Sequence, residues 1–257
     1  MSQTTLKLSM LATLLLLAGG MSGHAADETF TVRIENVSAD NALKLSNGKT
    51  EPGGVAPVLY VVHTNRAPLF TSGQPDRGKG LEALAEDGPT GPLEKSLKGQ
   101  PGIVHLGSID TPVGASSPGD IWPGQAFEFK VTAKPGERLS IASMFAQSND
   151  LFYAPREEGI ALFDASGKPI RGDVTSQILL WDAGTEVNEE PGRTAAGCSQ
   201  HRTRREWRGA AHHRGERRLS LPQRPRGAPR HHHARPSRNA LNGPVCFSVL
   251  NARLSGA

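Results

Sequence analysis

Cysteine is scarce in this chain, and so are aromatic residues. The 257 residues include two cysteines, Cys198 and Cys246, and 5% aromatic residues. Two cysteines exclude a small scaffold held together by several disulfides, and they exclude a zinc module built on four cysteines. No apolar run of about eighteen residues follows the N-terminal segment, so the sequence predicts no membrane-spanning helix.

The sequence motifs of common enzymes are also missing. The chain has no G-x-S-x-G elbow, no H-E-x-x-H zinc motif and no phosphate-binding loop. Residues 27–192 contain no cysteine and two histidines, His63 and His105, both next to apolar residues. This placement favours a structural, hydrogen-bonded role for each histidine. We therefore predict a non-catalytic protein, and a periplasmic enzyme with a site built from loops is the alternative.

Charge divides the chain at Gly192. Residues 1–192 carry 15 Lys and Arg against 23 Asp and Glu, whereas residues 193–257 carry 14 Arg, no Lys and 2 Glu. The formal net charge of +4 therefore describes neither part of the chain. Such a break indicates a boundary between an acidic body and a basic tail.

The composition of the tail, residues 193–257, is unusual for a natural basic arm because arginine occurs without lysine. Arg, Pro, Ala, Gly and His without Lys are what GC-rich DNA encodes when it is read in a wrong frame. Back-translation of residues 217–235, started one base later, permits a turn followed by an alternating strand. We predict an out-of-frame, disordered tail and expect no nucleic acid partner. A genuine arm that binds polyanions is the alternative.

The first 25 residues have the pattern of an export signal. Lys7 precedes an apolar stretch at residues 8–18, and small residues at Gly23 and Ala25 precede the expected cleavage site. An uncleaved anchor is the alternative, although the stretch is too short to span a bilayer. We predict a signal peptide over residues 1–25 and a mature chain that is secreted or periplasmic.

Hydrophobic patterning predicts an all-β fold, an antiparallel β-sandwich over residues 27–192. Residues 29–37, 126–131 and 138–146 alternate between apolar and other residues, and residues 57–63 form the continuous apolar run of a strand buried on both faces. The side chains expected on the core face are Phe30, Val32, Ile34, Val37, Phe127, Phe129, Leu139, Ile141 and Phe145.

Shorter elements complete the predicted fold. Residues 159–163 and 177–181 predict two more short strands, and Gly- and Pro-rich turns separate the strands. Residues 80–86 predict one short helix, which is the only helical segment that the pattern indicates.

Carboxylates cluster in two loops that follow predicted strands. Asp150 follows the strand at residues 138–146, and Asp182 and Glu186 follow the last predicted strand. Calcium takes about six to eight oxygen ligands, and Gly184 lets the chain bend between the last two carboxylates. If the two strands are neighbours, these residues predict a calcium site. A solvated acidic loop without a metal is the alternative.

Four segments of the body resemble the spondin N-terminal domain. They are SNDLF at residues 148–152, WDAGTE at residues 181–186, PLF at residues 68–70 and GLEALAEDG at residues 80–88. The D-A-G-T-acid segment is the most specific of the four, and the resemblance covers roughly residues 29–192.

This resemblance implies an antiparallel β-sandwich similar to calcium-dependent phospholipid-binding domains. In the F-spondin type it also implies a calcium ion held by loop carboxylates. Asp182 and Glu186 match the D-A-G-T-acid pair, and Asp150 matches the acid of the preceding loop motif. The family includes extracellular-matrix proteins and short exported bacterial proteins, so we expect an exported, matrix-type binding module with an extracellular or cell-surface ligand.

Overall fold

Two antiparallel sheets pack face to face, and two short helices cover the other face of the larger sheet. The computed structural model describes residues 27–146, 148–187, 235–236 and 250–256. It confirms the all-β sandwich that the sequence predicts. Within these residues, no helix has the length and apolar character needed to cross a membrane.

The smaller sheet has four strands. In spatial order they are β11 (Gly172–Asp173), β14 (Leu250–Gly256), β1 (Glu28–Asn36) and β7 (Ala126–Ala133). All neighbouring pairs are antiparallel. β1 and β7 bury alternate residues, as expected for strands with one face toward a core and one toward solvent.

The larger sheet has eight strands, six of which form its main path. In spatial order these six are β13 (Arg235–Pro236), β12 (Leu179–Asp182), β9 (Leu151–Ala154), β8 (Arg138–Ala146), β5 (Val58–His63) and β6 (Ile103–Ile109). Two short strands, β4 (Gly54–Val55) and β10 (Ile160–Ala161), also pair with β8. A separate hairpin joins β2 (Leu43–Lys44) to β3 (Thr50–Glu51).

The helices number two in the described residues, where the sequence predicted one. α1 (Leu81–Asp87) is the predicted helix, and α2 (Gly91–Leu97) was missed. α2 begins with Gly and Pro, which usually indicate a turn, but proline also suits the first turn of a helix. A single 3-10 turn, η1 (Thr175–Gln177), precedes β12.

Two hydrophobic cores lie on opposite faces of the larger sheet. The first core fills the space between the sheets, and the second lies between the larger sheet and the helices. β5 and β8 contribute to both cores, which explains the continuous apolar run of β5. The predicted core residues on β1, β7 and β8 are at most 9% exposed. Val37, predicted with them, lies beyond the end of β1 and is 42% exposed.

Residues 250–256 differ from the prediction for the tail. They form β14, which pairs with β1 from Asn36 to Phe30 and buries Ala252 and Leu254 in the first core. The expected disorder is therefore wrong for this segment, and β1 is not the open edge that a missing last strand would leave. Alternating residues give β14 a buried face despite the basic composition around it. Residues 193–234 and 237–249 lie outside the described residues.

Replacement of Leu254 by Ala tests whether the sandwich uses this strand. Leu254 is 2% exposed in the first core, so truncation should lower the free energy of unfolding by about 2–5 kcal/mol. Chemical denaturation measures the change. Ser255→Ala, at an exposed position of the same strand, is the matched control and should change the stability little. Equal stability of the two variants would show that the strand does not form part of the core.

Candidate functional site

Strand pairing brings the predicted acidic loops to one end of the larger sheet. β12 pairs with β9, and Asp182 at the end of β12 faces Leu151 at the start of β9. Asp150 directly precedes β9 and therefore lies beside the loop that follows Asp182. The condition that β8 and β12 be neighbours is not met, because β9 lies between them. The loops meet through β9, which the sequence analysis did not identify as a strand.

Asp150 is the buried centre of this site. Its side chain is fully buried, and one carboxylate oxygen, Oδ2, accepts hydrogen bonds of 3.2 Å from the backbone N–H groups of Thr185 and Glu186. Its main-chain oxygen accepts a further bond of 3.0 Å from the N–H of Ala183. Residues 182–186 are therefore held around Asp150, and we call them the acidic loop.

The acidic loop turns at Gly184. The Oδ1 atom of Asp182 accepts a hydrogen bond of 2.7 Å from the N–H of Gly184, whose φ of 70° lies in the left-handed region. Glycine adopts this conformation without the steric cost that other residues meet. The turn brings the following N–H groups toward Asp150, so the D-A-G-T-acid pattern has a direct structural meaning in this chain.

Three oxygen atoms at this end of the sheet are buried without a hydrogen-bond partner among the described residues. They are Oδ1 of Asp150, Oε1 of Glu86 and Oγ1 of Thr185, and the side chains of the last two lie near each other. Buried polar atoms are nearly always hydrogen-bonded in folded proteins, because an unsatisfied one carries a desolvation cost of about 1–3 kcal/mol. Within the described part of the chain, polar atoms of two loops and one helix are therefore left without a donor or acceptor at one end of the sheet.

Burial and neighbouring carboxylates raise the pKa of Asp150 to about 6. Loss of solvation is the largest cause, and repulsion by the carboxylates of Asp182 and Glu186 adds to it. The two backbone N–H groups bonded to Oδ2 oppose this shift. The ionised form of Asp150 is therefore destabilised, because its two backbone donors do not offset the energetic cost of its burial and of its acidic neighbours.

Helix α1 adds carboxylates that the sequence analysis did not assign to the site. Burial raises the pKa of Glu86 to about 7, with further repulsion from Glu186, Glu82 and Asp87, while the nearby Thr185 side chain opposes the shift. Burial, Asp76 and Glu186 also raise the pKa of Glu82. Glu82 and Glu86 are four residues apart and so share one helix face.

This spacing was visible in the sequence, but the position of the helix over the acidic loop was not. Glu186 acts electrostatically on Glu82, Glu86 and Asp150, and so connects the helix to the loops. The structure thus couples Asp150 electrostatically to Asp182 and Glu186, and Glu86 to Glu186. The use of Asp150, Asp182 and Glu186 as metal ligands stays a prediction. Within the described ranges, no three acidic, histidine or cysteine side chains are arranged as a ready metal-binding group.

Replacing Glu86 by Gln should stabilise the protein when no divalent cation is present. The variant removes a half-buried charge that is repelled by three other carboxylates. We expect the free energy of unfolding to rise by up to about 1 kcal/mol at neutral pH, since partial exposure screens the repulsion. Chemical denaturation of both proteins in the presence of a chelator measures this change in the free energy of unfolding. Glu51→Gln, in the separate hairpin, is the control, and destabilisation of Glu86→Gln alone would contradict the expectation.

The two histidines of the body take hydrogen-bonded positions in the larger sheet. His63 is fully buried at the end of β5, where Nδ1 lies 2.7 Å from the carbonyl oxygen of Asn65 and Nε2 lies 2.9 Å from Oγ of Ser140. A carbonyl only accepts, so Nδ1 carries the proton and Nε2 accepts from the serine hydroxyl. Ser140 is 2% exposed, which leaves this pair no access to a substrate. The Nε2 atom of His105 bonds the carbonyl oxygen of Thr132 at 2.9 Å.

The buried His63 predicts a destabilising contribution in mild acid. Burial, with a smaller contribution from the Arg138 charge, lowers the pKa of His63 from 6.5, although the bond to Asn65 opposes the shift. Below pH 6.5 the unfolded chain protonates this histidine more readily than the folded chain does, so the contribution of His63 to the stability falls as the pH falls. Asp150 and Glu86, whose pKa values are raised, contribute in the opposite direction over the same range. Denaturation between pH 7 and pH 5 measures the slope.

His63→Gln removes this titrating group, so lowering the pH from 7 to 5 should leave the variant more stable relative to its stability at pH 7 than the unmodified protein. An NMR titration of His63 in the unmodified protein provides a second measurement that does not depend on the variant. Equal slopes for the two proteins, or a His63 pKa at or above 6.5, would contradict this account.

Comparison with known proteins adds no relative from which a role could be transferred. No family model matches the chain, and a search of curated proteins finds no match either. The residues of the site and the motifs that surround them are therefore the basis for the function proposed below.

Proposed function

We propose that this protein is an exported, non-catalytic binding module of the spondin N-terminal type, which holds a calcium ion at the acidic end of its sandwich. One observation carries the proposal. Asp150 is fully buried, its Oδ1 atom has no partner among the described residues, and it lies beside the acidic loop. A divalent cation would supply positive charge beside the carboxylate and would give this oxygen a partner to coordinate.

The chemistry of the donors favours calcium over transition metals. The available side chains are carboxylates and a hydroxyl, namely those of Asp150, Asp182, Glu186, Glu86 and Thr185. Calcium prefers such hard oxygen ligands and tolerates irregular geometry, with carbonyl groups and water completing its coordination. No histidine or cysteine occurs between residues 147 and 187, so the acidic loop and the segment before it lack the softer ligands that zinc and copper favour.

Binding would act through the acidic loop. The carboxylates repel one another in the absence of a cation, and a bound ion would draw residues 182–186 toward Asp150 and helix α1. The ion would thereby join two loops and a helix into one surface at the end of the sandwich. We propose that this surface presents the module to an extracellular or cell-surface ligand.

Export and family membership rest on the sequence. The signal-like segment at residues 1–25 lies outside the described residues and supports a secreted or periplasmic location. The resemblance to the spondin N-terminal domain gains support from the role of the D-A-G-T-acid segment. The side chain of Asp182 and the backbone N–H groups of residues 183–186 form the hydrogen bonds that shape the loop around Asp150.

Calcium should raise the thermal stability of the full chain. For a dissociation constant of about 10⁻⁴–10⁻³ M, calcium at about 10 mM stabilises the fold by about 1–3 kcal/mol. This corresponds to an increase in Tm of a few degrees relative to the protein in chelator. Asp150→Asn and Asp182→Asn should lose most of the increase, because each removes a charged ligand.

The control is Asp40→Asn, an exposed carboxylate in the turn after β1. Its charge is not among the causes that raise the pKa values of Asp150 and Glu86, so this variant should keep the full increase. If calcium leaves the Tm of the unmodified protein unchanged, the acidic loop is a solvated surface and the calcium proposal fails. If all three variants respond like the unmodified protein, the ion binds elsewhere.

A further inference from the structure

A cleft of about 620 Å³ opens at the other end of the larger sheet. β9 begins beside the acidic loop and ends at the cleft, and β12 runs back in the opposite direction. The cleft is formed by the segment after β5, the start of β8, the segment after β9 and the 3-10 turn before β12. Its volume is in the range of small-molecule binding sites.

Positive charge dominates the lining of this cleft. Arg66, Arg138 and Arg156 line it, and Glu158 is the acidic residue in the same lining. Arg66 and Arg156 are exposed, and neither forms a salt bridge within the part of the chain that the structure describes. Three guanidinium groups around one cleft repel each other, so an anion in the cleft would relieve that repulsion.

Arg138 is fixed in the wall of the cleft. Its Nε and Nη2 atoms donate hydrogen bonds of 2.6 and 2.7 Å to the carbonyl oxygens of Glu158 and Gly159. Gly159 has a φ of 75°, and a Cβ there would lie 2.8 Å from Nε2 of His63 and Oγ of Ser140. The buried His63–Ser140 pair therefore supports this wall from behind, and the charge of Arg138 stays in place whether or not a ligand is bound.

The other lining groups are mostly polar and uncharged. Ser176 and Gln177 are exposed in the lining beside the arginines, and their hydroxyl and amide groups are suited to the hydroxyl groups of a ligand. The amide of Asn65, also in the lining, donates a hydrogen bond of 2.7 Å to the carbonyl oxygen of Pro101. Arginine binds planar carboxylates and phosphates through paired N–H groups. The cleft thus offers arginine N–H groups that can bind a carboxylate or phosphate. It also offers neutral polar side chains that can bind the hydroxyl groups of the same ligand.

We propose that this cleft binds a small hydroxylated anion, of the class of sugar acids and sugar phosphates, with Arg66 and Arg156 holding the anionic group and Arg138 supplying a fixed charge. The ligand would lie at the end of the sandwich away from the acidic loop. The proposal does not depend on calcium, and either site can exist without the other.

Calorimetric titration of the full chain with three probes tests the proposal: glucuronate, glucose 6-phosphate and glucose. We expect millimolar binding of glucuronate, of glucose 6-phosphate or of both, and no binding of glucose at about 10 mM. Binding of one anion identifies carboxylate or phosphate as the preferred group, and binding of both shows a general oxyanion site. The titrations should give the same result in calcium and in chelator.

The double variant Arg66→Gln/Arg156→Gln should weaken anion binding by about tenfold or more. Lys44→Gln/Lys130→Gln removes the same total charge from exposed positions outside the cleft lining and should bind as the unmodified protein does. The proposal is overturned if neither anion binds, if glucose binds equally well, or if both double variants lose the same affinity.

Discussion

Burial of β5 and β8 on both faces is the constraint on which the rest of the structure depends. Each strand contributes side chains to the core between the sheets and to the core beneath the helices. Two cores require two covering layers, so the chain must supply a second sheet on one side and helices on the other. The strand ends are then the places where polar groups can meet solvent, and both candidate sites lie there.

The two ends of the larger sheet differ in charge because different segments reach them. At one end, the acidic loop and α1 place carboxylates around the buried Asp150. At the other end, Arg138 at the start of β8 joins Arg66 and Arg156 from neighbouring segments. β9 and β12 connect these ends. One end of this strand pair lies beside the acidic loop, and the other lies at the cleft. A cation at one end and an anion at the other would each offset the repulsion among like charges.

The smaller sheet, which covers one face of the larger sheet, includes β14, a strand from the last residues of the chain. β14 pairs with β1 over seven residues and places Ala252 and Leu254 in the core. Composition indicated a tail that could not fold, because arginine-rich sequence buries too little apolar surface to offset its loss of entropy. That reasoning applies to an average over many residues. A single strand needs only a few alternating apolar side chains and strands to pair with, and β14 pairs with β1 on one side and β11 on the other.

The sequence by itself determined the fold class, the strands with clear alternation and the motif that shapes the acidic loop. Alternation in β1, β7 and β8 reports directly which side chains are buried, since successive side chains of a strand point to opposite faces. The D-A-G-T-acid segment similarly encodes a local turn. Only the tertiary structure decided that β9 lies between β8 and β12, that Glu86 faces the acidic loop and that three arginines share a cleft. These contacts join residues far apart in the chain, and their pairing depends on how the covering layers pack, which no local pattern specifies.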